Sequence, residues 1–394
     1  MIKRLGVFQA LNPSYLFPEI NRRKELFLQQ HPAVELVDLG IGDTVLPLPK
    51  PVANALQKGA AELGTPEGYS GYGKAQGDDE LREKIRQTYY PELSVEEIFI
   101  SDGAKSEVGR LQTFFGADIS IGLQDPVYPV YLDGSILQGA KDIRLLPCHP
   151  ENHFFPELMP DLDLLYICNP NNPTGTVYSY DELKKLVDYA LKHRIVILYD
   201  GVYSGYIRDP RLPKTIYQIP GAERVAIEVN SFSKLAGFTG VRLGWTVIPR
   251  ALTFDCGHSI RNDYDRFSST VFNGASNIAQ KGGMAVFSEE GREGIRENIA
   301  HTMGNAKLLR EHFITEGYRV YGGENAPYIW VETPGRDSWD VFQELMEREH
   351  LIVTPGKGFG PTGEHFFRVS SFIHRRALYR WRFRSLQSLS VSGG

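Results

Sequence analysis

The sequence predicts an α/β fold in which a large domain with a mostly parallel sheet, flanked by helices, joins a smaller α+β domain. From about residue 50, helical patterns alternate with short apolar runs rich in β-formers, which is typical of parallel sheets. After about residue 273 the pattern changes to long helices followed by mixed strands. The 394 residues are enough for two such domains.

We place the domain boundaries where these patterns change. Residues 1–48 contain no clear βα unit and are assigned to an N-terminal arm and part of the small domain. Residues 49–275 form the large domain, and residues 276–394 form the small C-terminal domain. Within the small domain, strands are expected near residues 328–332, 352–354 and 366–370.

The first βα elements of the large domain carry clear signals at their ends. Pro51 begins a helical pattern that Gly64 ends, because proline suits the first helical turn and glycine the position beyond the last. Residues 97–101 are expected to form a strand, after which Gly103 turns the chain into a helix that runs to about Phe115.

The later elements follow the same alternation. Ser179 and Glu182 form a capping box for a helix that reaches His193. Short apolar runs predict buried strands at 119–123, 164–168, 195–199 and 225–229.

Composition and charge exclude several classes of protein. The chain has 42% hydrophobic residues and 23% charged residues, which is ordinary for a globular protein. Its net charge of −5 shows no excess of basic residues, so no nucleic-acid partner is expected. No apolar run approaches the length that a membrane span needs, so no membrane partner is expected. The first residues, Met1 to Arg4, lack the apolar stretch of a secretory signal.

The cysteines point to a reducing compartment. Cys148, Cys168 and Cys256 are odd in number and scattered, which favours free thiols and a cytoplasmic location. Cys168 lies in an apolar run and is expected to be a buried structural thiol. Cys256 and His258 lack a second pair of ligands, so no metal site is expected.

The segment from Ser231 to Trp245 contains the most informative group of polar residues. Lys234 stands among hydroxyls and glycines, and a lysine that attacks a carbonyl must be poorly solvated. Ser231, Ser233 and Arg242 suit a phosphate group. We place Arg242 two helical turns beyond Lys234. The alternative is that Lys234 is a solvated surface group, as most lysines are.

Two further candidates follow predicted strands. Asn172 lies in the string from Asn169 to Gly175, directly after a strand, where α/β sheets bind ligands; a plain turn is the alternative. Asp200 ends the next strand and is expected at the carboxyl edge of the sheet, although an aspartate there could instead cap a helix.

Three more candidates lie elsewhere along the chain. Ala104 and Lys105 begin a helix whose backbone N–H groups could hold a phosphate. Tyr128 follows another strand and is either a ring-stacking residue or a core tyrosine. Arg368 stands in the apolar strand 366–370, where an unpaired buried charge would be costly, so it requires a partner.

In this order along the chain, the segments resemble those of the fold-type I pyridoxal-phosphate enzymes, the aminotransferase superfamily. The resemblance implies a pyridoxal 5′-phosphate cofactor that Lys234 holds as a Schiff base before acting as general base. It implies that Asp200 pairs with the pyridine nitrogen and that Tyr128 lies on the cofactor ring. The other implied roles are the phenolic oxygen for Asn172 and Tyr203, the phosphate for Ala104, Lys105, Ser231, Ser233 and Arg242, and the substrate α-carboxylate for Arg368.

A closer resemblance, over nearly the whole chain, is to the LL-diaminopimelate aminotransferase family. It rests on residues 12–17, 39–44, 67–73 and 271–277, of which the Gly-Tyr-Ser-Gly-Tyr-Gly and Phe-Asn-Gly-Ala-Ser strings are the most specific. It implies amino transfer between LL-2,6-diaminopimelate and 2-oxoglutarate by a homodimer with shared active sites.

The same resemblance implies further site residues. Tyr72 would reach the cofactor phosphate of the neighbouring subunit, and the implied substrate contacts are Tyr15, Gly42, Lys105, Asn172, Asn273 and Arg368. The alternatives are an arm anchor for Tyr15, a turn for Gly42 and a helix cap for Asn273.

One stretch departs from the family pattern. Relatives commonly carry an acidic residue shortly after Tyr72-Gly73, available to the distal amine of the substrate, whereas this chain has residues 74–77, Lys-Ala-Gln-Gly. A lost polar partner relaxes discrimination, so a broader range of amino donors is expected.

Other functions remain as alternatives to this reading. Another fold-type I enzyme, a broad-specificity aminotransferase or a carbon–sulfur lyase, is the nearest one. A cofactor-sensing regulator would need a DNA-binding module, for which the chain has no basic region. A nicotinamide dehydrogenase would need a G-x-G-x-x-G string after its first strand, and none is present.

Overall fold

A seven-stranded sheet and a four-stranded sheet organise the residues described by the computed structural model, which are 2–11 and 16–381. The strands are β1 (Val37–Asp38), β2 (Ile98–Ser101), β3 (Ser120–Asp125), β4 (Asp142–Pro147), β5 (Leu164–Cys168), β6 (Val196–Asp200), β7 (Ala226–Ser231), β8 (Gly244–Val247), β9 (Val320–Gly322), β10 (Tyr328–Glu332), β11 (Leu351–Ile352), β12 (Thr354–Pro355) and β13 (Phe366–Ser370).

The helices lie mainly between these strands. They are α1 (Val7–Ala10), α2 (Leu16–Gln30), α3 (Lys50–Glu62), α4 (Asp79–Tyr89), α5 (Ala104–Phe115), α6 (Val130–Gln138), α7 (Tyr180–His193), α8 (Phe232–Ala236), α9 (Ile260–Val271), α10 (Asn277–Ala285), α11 (Glu289–Thr315) and α12 (Ser338–Arg348).

The large sheet has the order β2-β8-β7-β6-β5-β3-β4, and all of its neighbouring strands are parallel except for the two pairs made by β8. The predicted mostly parallel sheet is therefore confirmed. Helices cover both faces, because alternate residues of one strand belong to different apolar clusters. Leu165 of β5 packs with Leu183 of α7, whereas its neighbour Leu164 packs on the other side with Leu111 of α5.

The small sheet has the antiparallel order β12-β13-β10-β9. β1 pairs in parallel with β11, which ties the segment before the large sheet to the C-terminal part of the chain. α10 packs mainly against α3. The division of the chain at residues 48 and 275 stays a prediction.

Most of the predicted elements are present with small shifts at their ends. The strands at 164–168, 328–332 and 366–370 and the helix ending at His193 have the predicted bounds, and Ser179 caps α7 as expected. β4, α2 and α4 were not predicted. The predicted position of Arg242 on a helix is wrong: α8 ends at Ala236 because Gly237 adopts a left-handed conformation, and Arg242 lies in the loop beyond.

Residues 2–11 and 16–381 contain neither a membrane-spanning helix nor a cluster of metal-binding side chains. No helix there combines the length and the apolar character of a membrane span. No cluster of three or more histidine, cysteine or acidic side chains there could bind a metal ion.

The carboxyl ends of three neighbouring strands lie side by side in the large sheet. Cys168 at the end of β5 is paired in register with Asp200 at the end of β6, and Ser231 ends β7 next to them. Parallel strands therefore deliver three of the predicted segments to one edge of the sheet, facing the small sheet.

Candidate active site

A cavity of about 620 Å³ lies at this edge of the sheet. The structure brings most of the predicted site residues to its wall: Gly42, Ala104, Lys105, Tyr128, Asn172, Asp200, Tyr203, Ser231, Ser233, Lys234, Arg242 and Arg368. Three predicted residues do not line it. Tyr72 is 89% exposed on the surface, Asn273 is also exposed and caps no helix, and Tyr15 lies outside the described residues.

Lys234 lies in α8, just after the end of β7. The side chain of Ser231 begins this short helix by accepting a hydrogen bond from the backbone N–H of Ser233 at 3.0 Å. The Lys234 amine donates to the carbonyl oxygen of Gly42, so the chain before the large sheet closes over it.

The electrostatic surroundings of Lys234 favour its neutral form. Burial lowers the pKa of the Lys234 amine to about 8; nearby Asp43 opposes this shift, and Arg368 and Arg242 add to it. An amine with such a pKa is partly unprotonated near neutral pH and can attack a carbonyl or accept a proton. Lys234 is therefore not a solvated surface group.

Asp200 is a buried carboxylate at the end of β6. It accepts hydrogen bonds from the Tyr131 hydroxyl at 2.5 Å and from the backbone N–H of Val202 at 3.1 Å. Burial raises the pKa of Asp200 to about 6, against the effect of these two donors, so the group is ionised at neutral pH. A buried anion at the wall of a cavity suits a protonated ring nitrogen.

Arg242 and the start of α5 form a cradle for an anion. The Arg242 guanidinium donates to the Ser233 hydroxyl at 3.1 Å and to the Thr239 carbonyl at 3.2 Å. Gly103, with φ 115°, precedes the free N–H groups of α5, and a Cβ at this position would overlap the Arg242 guanidinium. Backbone amides, a hydroxyl and a guanidinium thus converge as a phosphate group requires.

Arg368 is fully buried in β13 and makes no carboxylate pair within the described residues. It donates to the Asn172 side-chain oxygen at 2.7 Å, to the Gly40 carbonyl at 2.6 Å and to the Thr354 hydroxyl at 3.3 Å, and its Nε has no partner. A buried guanidinium with spare donor capacity at a cavity wall suits a carboxylate ligand.

The three asparagines of the 169–175 string have different tasks. Asn169 donates to the Tyr199 hydroxyl and Asn171 to the Thr174 hydroxyl, so both of them shape the loop. Asn172 alone of the three lines the cavity, and Arg368 holds its side-chain oxygen, which leaves the amide nitrogen for another acceptor. The loop is therefore a turn that also places one side chain in the wall of the cavity.

The family model for class I and II aminotransferases matches residues 34–374. The chain belongs to this family. It is 48% identical to a probable chloroplastic LL-diaminopimelate aminotransferase from Oryza sativa subsp. japonica, over 95% of this chain and 84% of that protein. It is 46% identical to an LL-diaminopimelate aminotransferase from Protochlamydia amoebophila, over 94% of each chain. The solved structure of L,L-diaminopimelate aminotransferase from Chlamydomonas reinhardtii matches with a TM-score of 0.94 and 46% identity over 98% of both chains.

The residues of this aminotransferase suit pyridoxal phosphate, the cofactor on which the family depends. The cavity offers a weakly basic amine, a buried carboxylate and a cradle into which no Cβ projects from Gly103. These groups match the aldehyde, the ring nitrogen and the phosphate of the cofactor.

Several residues of the cavity wall were not predicted as site residues, and two tyrosines, Tyr131 and Tyr328, stand out among them. Tyr131 lies in the first turn of α6, three positions after Tyr128, and its hydroxyl donates to Asp200; its closeness to Tyr128 in the sequence was a usable signal. Tyr328 also lines the cavity, but it comes from β10 of the small sheet. Nothing local in the sequence indicates which face of β10 meets the large sheet.

Proposed function

We propose that this aminotransferase transfers an amino group between LL-2,6-diaminopimelate and 2-oxoglutarate, giving tetrahydrodipicolinate and glutamate reversibly, in the synthesis of lysine and peptidoglycan precursors. The observation that carries the proposal is the identity of 42–48% with proteins of that activity over at least 93% of the chain. The buried Arg368 beside Lys234 supports the amino-acid part of the proposal, since an α-amino acid presents a carboxylate next to the reacting carbon.

Each cavity residue has a defined task in this proposal. Bound pyridoxal phosphate supplies an electron sink for the negative charge that develops at Cα of the amino acid. Arg368 binds the α-carboxylate in a two-point contact, which orients the Cα–H bond towards Lys234. The neutral amine of Lys234 would take the proton from Cα and return it to the carbon bonded to the other side of the transferred nitrogen, a step worth about 10²–10⁴-fold in rate.

The other residues hold the cofactor in place. Asp200 would keep a proton on the pyridine nitrogen, and Tyr128, which lines the cavity, would contact the ring. Asn172 and Tyr203 would donate to the phenolic oxygen. The backbone of Ala104 and Lys105, together with Ser231, Ser233 and Arg242, would bind the phosphate.

We further propose a homodimer in which each active site uses residues of both subunits. Tyr72, Tyr69 and Val271 are exposed by 89%, 71% and 53%, and such large apolar surface is typical of an interface. Tyr72 would reach the phosphate bound by its partner, and Asn273 and Tyr15 would contact substrate. The unpaired state of Cys148, Cys168 and Cys256 agrees with a cytoplasmic location, which remains part of the proposal.

The experiment that tests the function uses the purified protein and its Lys234→Ala variant. The wild-type protein should be yellow, lose this absorbance on addition of LL-diaminopimelate, and form glutamate from 2-oxoglutarate. The variant should do none of these. Pyruvate and ammonia from a sulfur amino acid, without glutamate, would instead identify a carbon–sulfur lyase.

The range of amino donors is a separate proposal. In residues 74–77 the polar side chains already have partners: Lys74 pairs with Asp79, and Gln76 donates to Asp265 at 2.6 Å. No carboxylate in this stretch can select a distal amine, so we expect meso-diaminopimelate and lysine to be used more than in relatives with an acidic residue there. Strict selectivity for the LL isomer in competition assays would contradict this expectation.

A further inference from the structure

Tyr328 is a buried tyrosine whose hydroxyl and ring contact two different parts of the site. It lies in β10, next to the strand that carries Arg368. It lines the cavity, and only 1% of its surface is exposed to solvent. Its hydroxyl also packs against Gly42, where a Cβ would come within 2.5 Å of it. None of the roles proposed above uses this residue.

The hydroxyl of Tyr328 lies 2.8 Å from the hydroxyl of Tyr203, and the rings meet edge to face. Burial raises the pKa of both phenols, so both keep their protons at neutral pH. Two phenols hold two protons, and only one of these is used in the bond between them. When Tyr328 donates to Tyr203, the Tyr203 proton is free for an acceptor in the cavity.

The ring of Tyr328 is one of two aromatic rings that contact the Arg368 guanidinium. The centre of the guanidinium lies 4.5 Å from the Tyr328 ring centroid and 4.9 Å from the centroid of the Phe359 ring. Contacts with two rings restrict the orientation of a guanidinium, and a bidentate contact with a carboxylate depends on that orientation.

We propose that Tyr328 is a positioning residue that links the cofactor side of the site to the substrate side. Its hydroxyl directs the proton of Tyr203 at the phenolic oxygen of the cofactor, and its ring holds Arg368 in the orientation that receives the substrate carboxylate. The inference rests on the proposed function only in requiring pyridoxal phosphate and a carboxylate substrate, and it is independent of which amino acid is used.

Three variants of the cofactor-loaded protein separate the two tasks. Tyr328→Phe removes the hydroxyl and keeps the ring. Phe359→Leu removes the second ring that contacts Arg368 and no hydroxyl, and Tyr328→Leu removes both features of Tyr328. Two quantities are measured: the midpoint of the absorbance change of bound pyridoxal phosphate during a pH titration, and the dissociation constant of glutarate, an unreactive dicarboxylate.

Tyr328→Phe should raise the absorbance midpoint by about 0.3 of a pH unit, because a Tyr203 hydroxyl without a donor behind it stabilises the phenolate less. Its affinity for glutarate should stay within about twofold of the wild type, since the contact between the ring at position 328 and the Arg368 guanidinium remains. Phe359→Leu should weaken glutarate binding about fivefold and leave the midpoint in place. Tyr328→Leu should change both quantities.

An unchanged midpoint in Tyr328→Phe would overturn the link to the cofactor, and unchanged glutarate binding in Phe359→Leu would overturn the role of the ring contacts with Arg368. These two milder variants keep the test decisive if Tyr328→Leu does not fold. If the wild-type protein binds the cofactor and glutarate but does not use LL-diaminopimelate, the proposed substrate fails while both measurements on Tyr328 remain valid.

Discussion

At the scale of single residues, the decisive property of the site is the weak basicity of Lys234. Its amine is buried among Arg368, Arg242 and an apolar ring, Phe372, whose centroid lies 5.6 Å away. Two nearby cations and low solvation disfavour a third positive charge. An amine that acts first as a nucleophile and then as a base at neutral pH needs a lowered pKa of this kind. A solvated lysine with its usual pKa would be protonated almost completely.

This basicity predicts how the protein without cofactor captures pyridoxal phosphate. Only the neutral amine attacks an aldehyde, so the rate should rise about tenfold per pH unit below the lowered pKa of Lys234, about 8, and level off above it. Asp43 holds that pKa up, so Asp43→Asn should move the midpoint to lower pH. Stopped-flow absorbance measurements across pH 6–10 check both outcomes, and a midpoint near the ordinary lysine value would contradict the proposed environment.

The sequence was enough to locate candidate site residues where a polar side chain directly follows a strand. Asp200 and Asn172 could be located because apolar runs end directly before them, and the carboxyl ends of parallel strands share one edge. Tyr328 could not, because its role depends on how the small sheet packs on the large one. The single chain likewise leaves Tyr72 on the surface, since its predicted partner belongs to another subunit.

At the scale of elements, the same reasoning explains which strands could be predicted. β5 is buried at every position and appears as a continuous apolar run. β4 lies at the edge of the sheet, has one buried residue and contains Asp142 and Arg144, so it lacks a strand-like apolar pattern. β4 was therefore found only in the structure, and so was α2, whose sequence gave no recognised helix signal.

The turn that begins α5 gives a prediction at this scale. Gly103→Ala should weaken binding of pyridoxal phosphate at least tenfold, because a side chain at φ 115° is strained and its Cβ would displace the Arg242 guanidinium. Equilibrium titration of the cofactor-free variant with pyridoxal phosphate measures the effect.

Gly116→Ala is the matched control for this change. Gly116 follows the other end of α5 with φ 77°, and a Cβ there would meet nothing within 4 Å. Both variants should lose thermal stability through backbone strain, but only Gly103→Ala should lose cofactor affinity. Equal losses of affinity would show that α5 acts as a rigid support and that the cradle has no specific role.

At the scale of the whole molecule, a second buried carboxylate sets a pH dependence of stability. Glu228 of β7 is fully buried and accepts hydrogen bonds from the hydroxyls of Tyr90 at 2.7 Å and Thr215 at 2.5 Å. It therefore ties three separate segments of the large-sheet region together. Burial raises the pKa of Glu228 from 4.5 to about 6, against the effect of these donors.

The folded state binds the Glu228 proton more tightly than the unfolded state. Glu228 therefore stabilises the fold most when it is protonated, below its unfolded pKa of 4.5, and this contribution falls as the pH rises through about 6. Glu228→Gln cannot titrate. Its deficit in unfolding free energy relative to the wild type should therefore be about 1 kcal/mol larger at pH 5 than at pH 8. Urea denaturation of both proteins at the two pH values checks this, and a deficit independent of pH would contradict the raised pKa.

The proposed dimer gives the last prediction, because a residue that acts across an interface can be supplied by another subunit. Lys234→Ala and Tyr72→Ala should each have little activity alone. In a hybrid dimer, one site carries both substitutions, while the other combines an intact Lys234 with an intact Tyr72. Random mixing after reversible dissociation makes half of the dimers hybrids, so about a quarter of the wild-type activity should return.

The control for this hybrid pairs two residues of one cavity. Lys234 and Asp200 lie in the wall of the same chain, so a mixture of Lys234→Ala and Asp200→Ala has a defect in every site and should stay inactive. Recovery in the first mixture and none in the second requires Tyr72 to act on the partner subunit. If neither mixture recovers although the subunits exchange, Tyr72 acts in its own chain. Because Tyr72 is 89% exposed, the 70–73 loop would then have to move over the cavity of the same subunit.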